Sequence, residues 1–194
     1  MINLIKNTIA ESIRTKQNLA ENSADNIAKC ADLLIDAVRE NRMIAFAGNG
    51  GSAADAQHIA AELVVRFRGS VNRRAIRAMS LAVDPSIMTA GGNDIGFENV
   101  FAREVEAYCS AGDVLVGIST SGNSGDIINA MNIAKSRGTK TIGLLGCEGG
   151  KILPLCDAAV VVPSKVTARI QESHIMIGHI WCDLIERALF PELF

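Results

Sequence analysis

The sequence predicts an α/β domain in which a parallel β-sheet is covered by helices on both faces. Short apolar runs rich in β-branched residues alternate along the chain with longer segments of helical periodicity. Of the 194 residues, 48% are hydrophobic and only 4% are aromatic, which favours a core of Ala, Ile, Leu and Val. This length fits a single domain, residues 1–194, and no linker rich in Pro, Gly or Ser divides it.

Two helices are predicted before the first strand, because residues 3–20 and 24–40 carry apolar side chains at helical spacing. Residues 42–190 are expected to form the α/β core. Its strands are predicted at residues 43–48, 75–83, 113–119, 139–146 and 158–163. Its helices are predicted at residues 52–67, 97–109, 124–137 and 167–189. In such sheets ligands bind beyond the carboxyl ends of the strands, which singles out the loops after Gly48 and Ile118.

The loop after the first strand is rich in glycine. Residues 48–53 match the G-x-G-x-x-G/A pattern of dinucleotide-binding proteins, and Asp84 follows the second strand, where a ribose-binding carboxylate would lie. The pattern alone is a weak indicator, and a tight strand-to-helix turn that needs glycine is the simpler explanation. A nucleotide site and a purely structural turn both stay open at this point.

The loop after the third strand is rich in hydroxyl groups, which come from Ser119, Thr120, Ser121 and Ser124. It precedes a helix, and helix N-termini attract anions through free N–H groups and the positive end of the dipole. The loop has no lysine, so it is not the phosphate-binding loop of nucleoside triphosphatases. A cluster of helix-capping residues is the alternative, but one cap would suffice. The sequence therefore favours a site for a phosphate monoester.

Two helices carry side chains that suit a metal ion or acid–base chemistry. His58 and Glu62 are spaced i,i+4, so they share one helical face, although such a pair is often only a surface hydrogen bond. On the last helix, Gln171 and His179 are about 80° apart around the axis and about 12 Å apart along it. Either that helix is irregular or different subunits supply the two groups. His174 lies about 60° from Gln171 on the opposite side and about 140° from His179, so it is not expected at the same site.

Charge and cysteine content bound the function classes. The net charge of −2 gives no support for nucleic-acid binding, and no apolar stretch approaches the ~20 residues of a membrane span. The charges scattered through residues 1–17 are unlike those of a signal peptide. The five cysteines are dispersed and form no CxxC pair, which is typical of reduced thiols in a cytoplasmic protein.

Four ordered motifs resemble the phosphoheptose isomerases, also called sedoheptulose 7-phosphate isomerases. They are AGNGGSAADAQHIAAEL, GGNDIGFENVF, GISTSGNS and PSKVTARIQESHIMIGHIWCDLIE. The resemblance spans nearly the whole chain and is strongest over residues 42–187. It implies the three-layer, flavodoxin-like sugar-isomerase (SIS) fold, with a five-stranded parallel sheet flanked by helices. It also implies a homotetramer with sites at subunit interfaces, in which the N-terminal helices serve oligomerisation.

The resemblance further implies the activity and the residues that serve it. Members convert sedoheptulose 7-phosphate into D-glycero-D-manno-heptose 7-phosphate, the first step towards nucleotide-activated heptoses, and need no nucleotide cofactor. The positions that match sugar-binding residues are Asn49, Gly50, Gly51, Glu62, Asn93, Asp94 and Gln171. Those that match phosphate-binding residues are Ser119, Thr120, Ser121 and Ser124. Those that match zinc ligands are His58, Glu62, Gln171 and His179, and of these Glu62 and His179 match the acid–base pair.

A non-catalytic protein of the same fold is the alternative. Some relatives bind the bacterial replication initiator, and others sense sugar phosphates within regulators. The initiator-binding relatives lack the residues that match Glu62 and His179, and this chain retains both, which favours an enzyme. Residues 83–86 (Val-Asp-Pro-Ser) depart from the usual family pattern, so local backbone changes are expected near the sugar.

Overall fold

Five parallel strands form one sheet in the computed structural model of the chain, which describes all of residues 1–194. In chain order they are β1 (Ile44–Gly48), β2 (Ala78–Ser80), β3 (Val114–Ser119), β4 (Lys140–Leu145) and β5 (Ala158–Val161). Their order in space is β2-β1-β3-β4-β5, and every neighbouring pair is parallel. This confirms the predicted flavodoxin-like sheet, whose strand order changes direction between β1 and β3.

Six α-helices cover the sheet. They are α1 (Ile2–Arg39), α2 (Gly51–Val64), α3 (Pro85–Asp94), α4 (Val100–Tyr108), α5 (Gly125–Ser136) and α6 (Thr167–Leu189). Short 3₁₀ helices occupy Phe97–Asn99, Leu153–Leu155 and Pro191–Leu193. None of the helices combines the length and the hydropathy that a bilayer span requires.

The alternation of side chains along the strands divides the interior into two cores. Val114, Val116 and Ile118 of β3 join the core that contains α1, α2 and α6. Leu115, between them in sequence, joins the core that contains α4 and α5 on the other face. Because successive strand residues point to opposite faces, one fully buried strand serves both cores. The three-layer arrangement is thus confirmed.

The N-terminal region differs from the prediction of two helices, because α1 is one continuous helix of 38 residues. The expected break at residues 21–23 (Glu-Asn-Ser) contains neither glycine nor proline. Ser23 is buried against the rest of the molecule, and the Asn22 side chain donates to the Asn18 carbonyl oxygen within the helix instead of starting a new one. Tertiary packing therefore stabilises the helix across residues of modest helical propensity.

The region after β2 also differs from prediction. The second strand has three residues instead of nine, and helix α3, which the sequence does not predict, follows it. Asp84 is the N-cap of α3, where its carboxylate accepts hydrogen bonds from the N–H groups of Ser86 (2.8 Å) and Ile87 (3.0 Å). The residue that suggested a ribose contact thus has a structural role. One of the two observations that favoured a dinucleotide site is thereby explained otherwise.

Candidate active site

The two loops singled out by the sequence lie side by side at the carboxyl end of the sheet. Gly48 at the end of β1 pairs with Ile118 of β3, so the chain leaves both strands at the same level. The glycine turn (residues 48–51) leads into α2, and the hydroxyl loop (residues 119–124) leads into α5. The Asn49 Nδ2 atom donates to Asp126 Oδ2 at 2.8 Å, which joins the glycine turn to the first turn of α5. This is the switch point at which open α/β sheets bind ligands.

The hydroxyl loop does not cap the helix that follows it. Ser124 is the N-cap residue of α5, yet its side chain makes no capping hydrogen bond. Its Oγ lies 2.9 Å from Ser119 Oγ, and Ser119 Oγ accepts the Gly122 N–H at 3.1 Å. The hydroxyl groups of Ser119 and Ser124 thus lie together beside an uncapped helix N-terminus, while Ser121 Oγ accepts the Asn123 N–H at 3.1 Å. This arrangement favours the anion site over the capping cluster.

A third loop, residues 146–152, follows β4 and forms hydrogen bonds with the hydroxyl loop. The Ile152 N–H donates to the Gly122 carbonyl oxygen at 3.0 Å, and the Lys151 N–H donates to Asn123 Oδ1 at 3.1 Å. These bonds fix the backbone of the hydroxyl loop against the loop that follows β4. No sequence motif indicates this support, since it depends on which strands are neighbours.

His58, Glu62 and His179 converge where α2 packs against α6. The Nε2 atoms of His58 and His179 are 2.9 Å apart, and His58 Nε2 is 3.3 Å from Glu62 Oε1. All three potential ligand atoms lie within 4.8 Å of one another. The helices approach closely because residue 178 is glycine, where a Cβ atom would overlap the Ile59 side chain. The sequence pairs His58 with Glu62, and the fold adds His179 from 121 residues away.

The donor set of these three residues fits a zinc ion. Imidazole nitrogens and a carboxylate oxygen are common zinc ligands, and three protein ligands leave the fourth position open, as in catalytic zinc sites. Two imidazole nitrogens facing each other at 2.9 Å need either a proton or a cation between them. A metal ion satisfies all three side chains at once, so the residues present a possible metal-binding group.

Gln171 does not join this group within the chain. Helix α6 is regular from residue 167 to 189, which keeps Gln171 about 12 Å from His179 along the axis. Its side chain lies instead against the glycine turn, where a Cβ atom at Gly51 would overlap Gln171 Nε2. An irregular helix is one of the two explanations that the sequence leaves open, and the regular geometry of α6 removes it. Gln171 thus lies beside Gly51, one of the expected sugar contacts.

The remaining histidine, His174, is excluded from the site as predicted. It is fully buried, and its Nε2 lies 3.0 Å from the Leu145 carbonyl oxygen. Burial lowers the pKa of His174 to about 4. Asn93 and Asp94 lie exposed at the end of α3, where Asn93 Nδ2 donates to Asp94 Oδ1 at 2.7 Å. Within this chain neither residue has a hydrogen bond to the two loops.

Sequence reasoning misses two residues that shape the site. Asp126 is buried and orients Asn49 through the bond described above. The Phe67 ring packs beside the His179 ring, with 5.4 Å between the ring centres. Neither belongs to a recognisable motif. In the sequence, Asp126 is an acidic residue in the first turn of a predicted helix, which is common. Phe67 is one apolar residue in an arginine-rich segment.

Known proteins resemble the chain in both sequence and structure. The model of the SIS domain family matches residues 9–146. A phosphoheptose isomerase of Nitratiruptor sp. is 53% identical over 188 residues, which cover 97% of this chain and all of that protein. The solved structure of the phosphoheptose isomerase from Neisseria gonorrhoeae has a TM-score of 0.89 and 43% identity, covering 95% of this chain and 97% of that one. For the phosphoheptose isomerase from Francisella tularensis the TM-score is 0.91 and the identity 32%, with 96% and 98% covered.

These likenesses extend over almost the full length of each relative, and the sheet order, the hydroxyl loop and the His/Glu/His group are all present in this chain. The chain belongs to the phosphoheptose isomerase family of SIS-domain proteins.

Proposed function

We propose that the chain is an aldose–ketose isomerase that converts sedoheptulose 7-phosphate into D-glycero-D-manno-heptose 7-phosphate. The observation that carries the proposal is the convergence of His58, Glu62 and His179 beside a phosphate-type loop, in a chain that is 53% identical to a phosphoheptose isomerase. A carboxylate and an imidazole are the groups that proton transfer at adjacent carbon atoms requires. The product would supply the synthesis of nucleotide-activated heptoses.

The positions of the polar groups around the two loops support the binding roles that we propose. Ser119, Thr120, Ser121 and Ser124 hold the phosphate at the N-terminus of α5. The glycine turn, with Gln171 against it, holds the sugar hydroxyls, and Asn93 and Asp94 contribute from α3. The phosphate thus anchors one end of a seven-carbon chain, so that the other end reaches the acid–base group.

The reaction moves one proton between carbon atoms and one between oxygen atoms. The Glu62 carboxylate removes a proton from C1 of the ketose, which leaves a cis-enediol, and returns it to C2 to form the aldose. His179 protonates the oxygen at C2 and takes the proton from the oxygen at C1. Each group ends in its starting state, so no cofactor is consumed.

Zinc is the metal that we propose for this site, held by His58, Glu62 and His179. When bound, it would polarise the oxygens of the substrate as a Lewis acid. Because Gln171 lies about 12 Å along α6 from His179, we propose that Gln171 of a second copy completes the ligand set. This requires sites at subunit interfaces, in the homotetramer that the family resemblance implies.

The function is tested by incubating the purified chain with sedoheptulose 7-phosphate and detecting the aldose by chromatography, with and without Zn²⁺. We expect conversion, and we expect chelation to lower it. The alternative is a non-catalytic protein that binds the replication initiator or senses sugar phosphates. Absence of turnover in both conditions, together with capture of the initiator protein, would establish that alternative.

A further inference from the structure

An ion pair with no assigned role lies entirely inside the molecule near the end of α2. Arg73 Nε is 2.8 Å from Glu186 Oε1, and neither side chain has any exposed surface. Moving two charges out of water is costly, and attraction between them offsets the cost only when the remaining polar atoms are also bonded. The partners of this pair therefore indicate what it stabilises.

The Arg73 guanidinium caps the carboxyl end of α2. Its Nη2 donates to the Glu62 carbonyl oxygen at 2.8 Å, and its Nη1 donates to that of Leu63 at 2.9 Å. Both carbonyls lie in the last turn of the helix, where no helical N–H is available to them. One of these two residues is Glu62 itself. Arg73 thus holds the backbone of the proposed base.

Glu186 holds the chain that leaves α2. Its Oε1 accepts the Phe67 N–H at 2.9 Å, and its Oε2 accepts the Arg68 N–H at 3.3 Å. Glu186 follows His179 by seven residues, which is almost two full turns on the same face of α6. Phe67, fastened in this way, packs its ring beside His179. The pair therefore connects both helices of the His/Glu/His group within two turns of it.

We propose that Arg73 and Glu186 are positioning residues that fix α2 against α6, so that His58 and Glu62 meet His179 at ligand distance. They touch neither the ligand atoms nor the substrate loops. Partners of this indirect kind affect metal affinity or activity by about 10- to 100-fold when they are changed. The inference rests on the proposed metal site, and it does not depend on which sugar is bound.

Arg73→Lys is the test, because lysine keeps the positive charge but lacks the planar fork that reaches Glu186, Glu62 and Leu63 together. Titration of the metal-free variant with Zn²⁺ by calorimetry should show a dissociation constant 10 to 100 times larger than that of the wild type. The visible spectrum of the Co²⁺-loaded chain should lose intensity as the ligand geometry loosens. The kcat should fall while the KM for the sugar phosphate changes less than threefold, because the hydroxyl loop is untouched.

Arg68→Lys is the matched control. The Arg68 side chain pairs with Asp183, which lies on α6 as Glu186 does, but it makes no hydrogen bond to the end of α2. The control variant should keep zinc affinity within twofold of the wild type. If Arg73→Lys does not fold, Glu186→Gln is the second variant that tests the ion pair, and it should weaken zinc binding in the same way. Unchanged zinc affinity and spectrum in a destabilised Arg73→Lys or Glu186→Gln chain would overturn the inference. Failure of the wild type to bind zinc would instead overturn the proposed metal site, and this inference with it.

Discussion

At the scale of single residues, His174 shows how burial changes the chemistry of a histidine. Burial lowers its pKa from the ordinary 6.5 to about 4, so the folded chain keeps it neutral where the unfolded chain would protonate it. The unfolded state therefore binds more protons below pH 6.5, and stability falls as the pH drops from 6.5 towards 4. The difference between these two pKa values corresponds to a maximum loss of about 3 kcal/mol.

His174→Gln tests this effect, because glutamine is neutral at every pH and offers an N–H for the Leu145 carbonyl oxygen. We expect the variant to be less stable than the wild type at pH 7 through imperfect packing. Between pH 7 and 4.5 the difference in unfolding free energy should shift by roughly 2 to 3 kcal/mol in favour of the variant. Urea unfolding at both pH values measures it, and other titrating groups cancel in the comparison. A pH-independent difference would contradict the account.

At the scale of elements, periodicity predicts most of the fold, and long-range packing decides the rest. Helix α6 is predicted at its observed bounds, because its buried residues recur at helical spacing. Helix α3 escapes prediction because it contains two glycines and buries no residue. The position of the hydroxyl loop follows from the strand–loop–helix order. The meeting of His58 with His179, and the separation of Gln171 from them, depend on how α2 packs on α6, and no local pattern encodes that.

The N-terminus of α5 gives a prediction about the hydroxyl loop. Ser124→Ala should weaken binding of inorganic phosphate and sugar phosphate by about 10- to 100-fold, since a hydrogen bond to a charged group contributes about 1.5–3 kcal/mol. Unfolding free energy should fall by only about 1 kcal/mol, because Ser124 makes no capping bond and loses just its hydrogen bond to Ser119 Oγ. Calorimetry and urea unfolding measure the two quantities. Ser136→Ala, at the other end of α5, is the control and should leave phosphate affinity unchanged; equal affinities in the two variants would contradict the anion site.

At the scale of the whole molecule, the N-terminal half of α1 carries an exposed apolar face. Ile5, Ile9 and Ile13 recur at i,i+4 on one face, and each exposes about half of its surface (49%, 55% and 52%). Such an apolar stripe is typical of a contact surface. If Gln171 reaches the metal group from another copy, assembly and activity depend on each other.

Ile9→Glu should therefore dissociate the proposed homotetramer and lower zinc affinity in the same samples. Sedimentation velocity measures the mass, and calorimetry measures the affinity. Asn7→Glu places the same charge on the opposite face of α1 and should preserve both. A monomeric Ile9→Glu chain with wild-type zinc affinity would show that one copy holds the metal alone.

Glu62→Gln removes the proposed base and leaves the proposed phosphate site in the hydroxyl loop unchanged. Turnover of sedoheptulose 7-phosphate should fall by about 10²–10⁴, the contribution of a general base, while calorimetry still detects sugar-phosphate binding through the hydroxyl loop. Glu106→Gln, an exposed change on α4, should retain full activity. Normal turnover in Glu62→Gln would remove this carboxylate from the reaction and contradict the account.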